Sequence, residues 1–162
     1  MSGIGSAQLV LLTAFLGVLV CCAIEDCRSR NISHWAILSI AALYIPYAAA
    51  GFASWQSGLI AGAIFLVAGF VFFGLKVMGG GDSKMIAAVG LWVGTGQIDV
   101  FVFYTAIAGA AVAVTILAAL RLGLPTQSAS AVPETARTVP YGIAIAFGSV
   151  VAVGQTVLEK AN

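Results

Sequence analysis

Two aspartates stand where long apolar runs of the sequence meet short polar turns. Asp26 ends the first apolar run, and Asp82 follows three glycines in the stretch GGGDSK (79–84). Ionisable groups at membrane depth are costly, so they are candidates for function. If the fold brings the two carboxylates within hydrogen-bonding reach, they cannot both ionise cheaply and would share one proton. One would then act as a base on water while the other, protonated, polarises a carbonyl group.

The glycines before Asp82 indicate how the two carboxylates could meet. Glycine permits positive φ and close approach of another backbone because it has no Cβ atom. The sequence therefore predicts a loop that brings Asp82 against the end of the first apolar run, with room for an extended peptide. The residues of this supporting loop are Gly79, Gly80 and Gly81.

A structural interpretation of the same residues stays open. Aspartate is a favoured helix N-cap, so the glycine stretch could be an interfacial turn that ends in a capped helix. Asp26 could be a solvated flank beside Arg28 and Arg30.

Other chemistries find little support in the sequence. The only histidine, His34, has no evident serine nucleophile beside it, and no cluster of metal ligands is present. The cysteines are Cys21, Cys22 and Cys27, without a C-x-x-C pair, so they indicate neither a disulfide framework nor a zinc site. We expect no metal and no cofactor.

The composition places these residues in a membrane. The 162 residues are 61% hydrophobic and 8% charged, with a mean hydropathy of +1.08, whereas a soluble domain is about 25% charged. The net charge of +1 does not indicate a basic surface for binding nucleic acid. Backbone that spans lipid must be helical or in a closed barrel, and continuous apolar runs favour helices. The sequence predicts an all-α polytopic bundle in one domain, residues 1–162.

The apolar runs predict six membrane helices, with a soluble loop at 121–140 and Pro46 either kinking the second helix or ending its regular part. The predicted helices cover about residues 8–24, 34–52, 57–77, 83–95, 99–120 and 141–158.

Six of the seven basic residues lie in the loops 25–33, 76–84 and 121–140. The positive-inside rule therefore places these loops, and with them both aspartates, at the cytosolic face. Lys84 could lower the pKa of a nearby carboxylate or bind a substrate carboxylate, or it could simply snorkel to the interface. Arg28 and Arg30 could set the topology or contact a substrate.

Three stretches resemble motifs of the type IV prepilin peptidases, the GxGD aspartic proteases of the bacterial inner membrane. GGGDSKMIAAVGLWVG (79–94) resembles their second active-site motif, DCRSRNIS (26–33) their first, and VPYGIAIAFG (139–148) their late Pro-Tyr-Gly helix start. The resemblance implies that Asp26 and Asp82 are catalytic. It also implies a helical bundle that cleaves the short basic leader of pilin-like precursors at the cytosolic face.

Two departures from the family pattern refine this expectation. Larger members carry a cytosolic domain with two C-x-x-C pairs that methylates the product, and this sequence lacks those pairs. The chain thus resembles the short, peptidase-only branch associated with Flp/Tad pili, without a zinc or methyltransferase domain. The first motif commonly continues Ile-Pro-Asn, whereas this chain has Ile32, Ser33 and His34.

Two other functions compete with the peptidase. A small ion-coupled transporter could use the same carboxylates, but transporter sites lie near the bilayer midplane, and both aspartates are predicted at the ends of their helices. A non-catalytic subunit of a pilus or secretion machine would need neither carboxylate. The sequence does not indicate an oligomeric state.

Overall fold

The computed structural model describes residues 5–29, 32–122 and 141–161, and these form six α-helices without a strand. The all-α prediction is confirmed, and a single 3-10 turn, Thr95–Gln97, separates the fourth and fifth helices. The helices are α1 (Ser6–Ser29), α2 (His34–Ala49), α3 (Trp55–Gly74), α4 (Gly80–Val93), α5 (Ile98–Arg121) and α6 (Tyr141–Ala161). Arg30 and most of the predicted 121–140 loop lie outside the described residues.

Four of these helices, α1, α3, α5 and α6, are long and apolar enough to cross a membrane. The other two have 16 and 14 residues, fewer than the ~20 that a bilayer requires. The prediction of six helices is therefore confirmed, but only four of the six reach the length of a span.

The end of α2 corrects a predicted boundary. The second helix was expected to reach residue 52, but it ends at Ala49, and Gly51 follows with φ +80. Pro46 lies inside the last turn. Proline there removes one hydrogen bond without stopping the helix, so the turn at Gly51 ends it instead.

Glycines bring α3 and α4 into close contact. A Cβ atom on Gly62 would lie 2.8 Å from the Leu91 side chain, and one on Gly69 would lie 2.9 Å from the backbone oxygen of Ser83. On the other side, a Cβ atom on Gly90 would lie 2.7 Å from Phe65. Small residues let membrane helices approach in this way, and the contact fixes the position of α4.

The short helix α4 lies at the centre of the bundle, packed against α2, α3 and α6. Trp92 stacks on Phe15 of α1 with ring centroids 4.1 Å apart and contacts Tyr47 at 4.8 Å. The indole N–H of Trp92 donates to the Ile40 carbonyl oxygen over 2.9 Å. Because other helices rather than lipid surround α4, it does not need the length of a membrane span.

Polar contacts fasten the C-terminal end of α6. The Gln97 amide donates to both oxygens of Glu159 at 3.2 Å, and the Lys160 ammonium donates to the Phe52 carbonyl oxygen at 2.8 Å. This end is therefore held both to the start of α5 and to the turn between α2 and α3.

Candidate active site

Asp26 lies near the end of α1 and is 5% exposed. Its Oδ2 atom accepts a hydrogen bond of 2.8 Å from the backbone N–H of Gly142, the second residue of α6. The first N–H groups of a helix have no partner within the helix, and they form the positive end of its dipole. The start of α6 therefore stabilises negative charge on Asp26.

Asp82 is the third residue of α4, after the N-cap Gly79, and is 8% exposed. The Gly79 backbone donates a hydrogen bond to the Asp82 carboxylate. An acidic residue at the third helical position accepts the same bond in a capping box. The Oδ1 atom of Asp82 is buried and has no hydrogen-bond partner among the described residues. Asp82 is therefore not the N-cap itself, which is Gly79.

The two carboxylates interact electrostatically. Asp82 lies outside the four helices that are long enough to span, and its pKa is raised from the ordinary 3.8 to about 7. The first cause is burial and the second is the charge of Asp26, while the Gly79 hydrogen bond acts in the opposite direction. A neighbouring negative charge has this effect only at short range. The charge of Asp26 therefore acts on Asp82, and the shared proton stays a hypothesis.

The glycines before Asp82 do not form the predicted loop. Gly79 is the N-cap with φ −68, and Gly80 and Gly81 are already helical. None of the three has positive φ, so the expectation of a loop is wrong for Gly80 and Gly81. The reason is local, because the Ser83 N–H and hydroxyl both bond to the Gly79 carbonyl oxygen, at 3.0 and 2.9 Å, and close the first helical turn.

Residues on the two sides of the α1–α2 connection contact each other, and a residue of the connection also contacts the start of α4. The Glu25 carboxylate accepts a hydrogen bond of 2.8 Å from the Ser33 N–H, and the buried Ile32 lies beside Gly81, where a Cβ atom would meet it at 3.5 Å. Sequence reasoning assigned no role to Glu25. The structure shows that Glu25 binds the backbone of Ser33, the residue before α2.

The basic candidates lie at the surface. Lys84 is exposed, and it is not among the groups that shift the pKa of Asp82. Arg28 is also exposed and lines an apolar groove of about 430 Å³ between α1 and α6, together with Ile143 and Phe147. Arg30 falls in the part of the chain that is not described. In the described ranges no group of three or more His, Cys, Asp or Glu side chains could hold a metal ion.

Gly142 was not among the predicted site residues. A Cβ atom there would lie 2.8 Å from Oδ2 of Asp26 and 2.9 Å from its Cβ atom, so only glycine fits without a shift. The Pro-Tyr-Gly sequence predicted a helix start at this point. Its contact with Asp26, 116 residues away, has no signal in a single sequence.

Comparison with known protein families gives a match that covers more than half of the chain. The model of the type IV leader peptidase family matches residues 13–114, well over half of the chain, and the matched range contains Asp26 and Asp82. Comparisons with curated proteins and with solved structures give no match. The match extends from α1 into α5 and stops before α6. This multi-pass helical protein therefore belongs to the type IV leader peptidase family.

Proposed function

We propose that this protein is a prepilin peptidase that removes the short basic leader of Flp-type pilin precursors, also called type IVb. It would act at the cytosolic face of the bacterial inner membrane, without a cofactor, through Asp26 and Asp82. One observation carries the proposal: two buried carboxylates come from separate helices, and burial first and the charge of Asp26 second raise the pKa of Asp82 to about 7. Such a pair can supply a base and an acid at the same pH.

The surroundings of each carboxylate support a different role for it. Asp26 receives the Gly142 N–H at the positive end of a helix, which favours its ionised form as the base. Asp82 has a raised pKa and a buried oxygen without a partner among the described residues, which suits the acid that faces the scissile carbonyl.

The reaction then balances in two steps. Water adds to the scissile carbonyl carbon, its proton passes to Asp26, and the proton of Asp82 passes to the carbonyl oxygen. When the C–N bond breaks, Asp26 gives its proton to the leaving nitrogen, and a hydroxyl proton of the tetrahedral intermediate returns to Asp82. Both residues end in their starting states, so the net reaction is hydrolysis of one peptide bond.

The alternative functions gain no support. Both aspartates lie at helix ends, not at the midplane where a transporter site is expected. A scaffold subunit would not need two buried carboxylates, which are costly to keep in a membrane protein.

The deciding experiment is cleavage of a synthetic Flp-type pilin precursor by the purified protein in lipid. Asp26→Asn and Asp82→Asn should each lower kcat by roughly 10³-fold, because each removes an acid–base group. Asp99→Asn is the matched control, since Asp99 is exposed in the first turn of α5, and it should cleave like wild type. Cleavage at the wild-type rate by either folded dyad variant would overturn the mechanism. If wild type cleaves other pilin precursors but not Flp-type ones, the Flp specificity is wrong.

A further inference from the structure

The N-terminus of α6 enters the candidate site through its backbone. The Gly142 N–H lies 2.8 Å from Oδ2 of Asp26 in a buried contact. No side chain of α6 could make this contact in the same space, because even a Cβ atom on Gly142 would lie 2.8–3.0 Å from three atoms of Asp26. The missing side chain lets the helix end approach, and the approach makes the hydrogen bond possible.

The contact distinguishes the two carboxylates. Asp82 takes its backbone hydrogen bond from Gly79, within its own helix and only three residues away. Asp26 accepts a hydrogen bond from a different helix, which connects its position to the start of α6. Oδ1 of Asp82 has no hydrogen-bond partner among the described residues, whereas Oδ2 of Asp26 accepts the Gly142 N–H.

We propose that Gly142 is a positioning residue of the peptidase, whose N–H orients Asp26 and stabilises its negative charge while its lack of a side chain admits the helix end. The catalytic part of this inference rests on the proposed function, whereas the contact itself does not. The family match ends at residue 114, and the resemblance of the Pro-Tyr-Gly stretch predicted a helix start at Gly142 but no role for this residue.

The contact can be tested without any activity. Tyr141–Gly142 is the only Tyr-Gly pair in the sequence, so labelling tyrosine carbonyl carbon with ¹³C and glycine nitrogen with ¹⁵N selects one amide signal. Asp26→Ala removes the acceptor. We expect the Gly142 amide proton to move upfield and to exchange faster with solvent, while Asp99→Ala leaves the signal unchanged. A signal that Asp26→Ala does not move would overturn the proposal.

The catalytic consequence is tested by kinetics with a matched glycine on the same helix. Gly142→Ala should displace Asp26 and lower kcat by roughly 10²-fold, with KM close to wild type because substrate contacts remain. Gly154→Ala should behave as wild type, because a Cβ atom there meets nothing within 4 Å. A folded Gly142→Ala protein with wild-type kcat, or a change in KM alone, would contradict the positioning role.

A second variant covers the case in which Gly142→Ala does not fold. Replacing Gly142 by glycolic acid exchanges the N–H for an ester oxygen and adds no volume, so it removes only the donor. We expect a lower kcat with KM unchanged, and an unchanged kcat would overturn the proposal. If wild type itself fails to cleave while the amide signal responds to Asp26→Ala, the proposed function fails and the contact stands.

Discussion

At the scale of single residues, Asp82 should determine how the rate depends on pH. Its pKa of about 7 is raised by burial first and by the charge of Asp26 second. If Asp82 must carry a proton to polarise the carbonyl, kcat/KM should fall as the pH rises through about 7. The measurement is the pH profile of precursor cleavage between about pH 5 and 9.

The control for this profile removes the single histidine of the chain. His34 is exposed, so His34→Gln should leave the alkaline limb in place. A rate that instead rises from pH 7 to 9, or a limb that disappears in His34→Gln, would contradict the role of Asp82.

The same residue should make stability depend on pH. Because the folded pKa of Asp82 lies above its ordinary value of 3.8, the native state binds a proton that the unfolded chain releases. Proton binding at Asp82 therefore stabilises the native state, and this stabilisation is fully present below about pH 4 and is lost as the pH rises through about 7. Wild type should therefore have a lower Tm at about pH 8 than at about pH 5, and Asp82→Asn should reduce this difference. Thermal unfolding in detergent measures this difference in Tm. The control Asp99→Asn should show the same difference as wild type. If Asp82→Asn also showed the same difference as wild type, the prediction would be contradicted.

At the scale of helices, the contact between α3 and α4 determines where Asp82 lies. A Cβ atom on Gly69 would press on the backbone of Ser83, with its oxygen at 2.9 Å and its Cα at 3.2 Å. Because backbone cannot move as cheaply as a side chain, Gly69→Ala should destabilise the protein by about 1–3 kcal/mol and lower kcat. Unfolding and cleavage assays measure the two effects.

Gly74→Ala is the control for that prediction. Gly74 is the last residue of α3, and a Cβ atom there meets nothing within 4 Å. It should leave both stability and activity close to wild type. Equal effects of Gly69→Ala and Gly74→Ala would show that the α3–α4 contact does not position the site.

The helices also show how far the sequence could predict the fold. Long apolar runs predicted the number and order of the helices because a backbone in lipid must satisfy its own hydrogen bonds, as a helix does. The start of α4 was misjudged because glycine is poor in helices by propensity alone, and the bonds from Ser83 to the Gly79 carbonyl outweigh that preference.

The residues of the candidate site could be predicted from the sequence only in part. Asp26 and Asp82 are detectable because only four acidic residues precede position 121 in the sequence. Gly142 was not, because glycine occurs 19 times in the chain and only the packing of α6 against α1 gives this one its role. Glu25 was missed because its bond to the Ser33 backbone depends on the path of the turn.

At the scale of the whole molecule, the orientation in the membrane can be tested with a native thiol. Cys27 is exposed and follows Asp26, whereas Cys22 is buried. With Cys21 replaced by serine, a membrane-impermeant maleimide should label Cys27 in inverted vesicles and not in intact spheroplasts, because the positive-inside rule predicts that the basic loops face the cytosol. Cys27→Ser should abolish the labelling. Labelling from the outside would reverse the assigned topology.

The hydrogen bond between Asp26 and Gly142 has a consequence for biosynthesis, since its two partners are 116 residues apart. A chain emerging from the ribosome acquires both aspartates well before the last helix is made. Until α6 inserts, Asp26 has no donor from Gly142 and the site is incomplete. We therefore expect fragments that end after α5 to carry both carboxylates, to lack the Gly142 donor and to cleave no precursor.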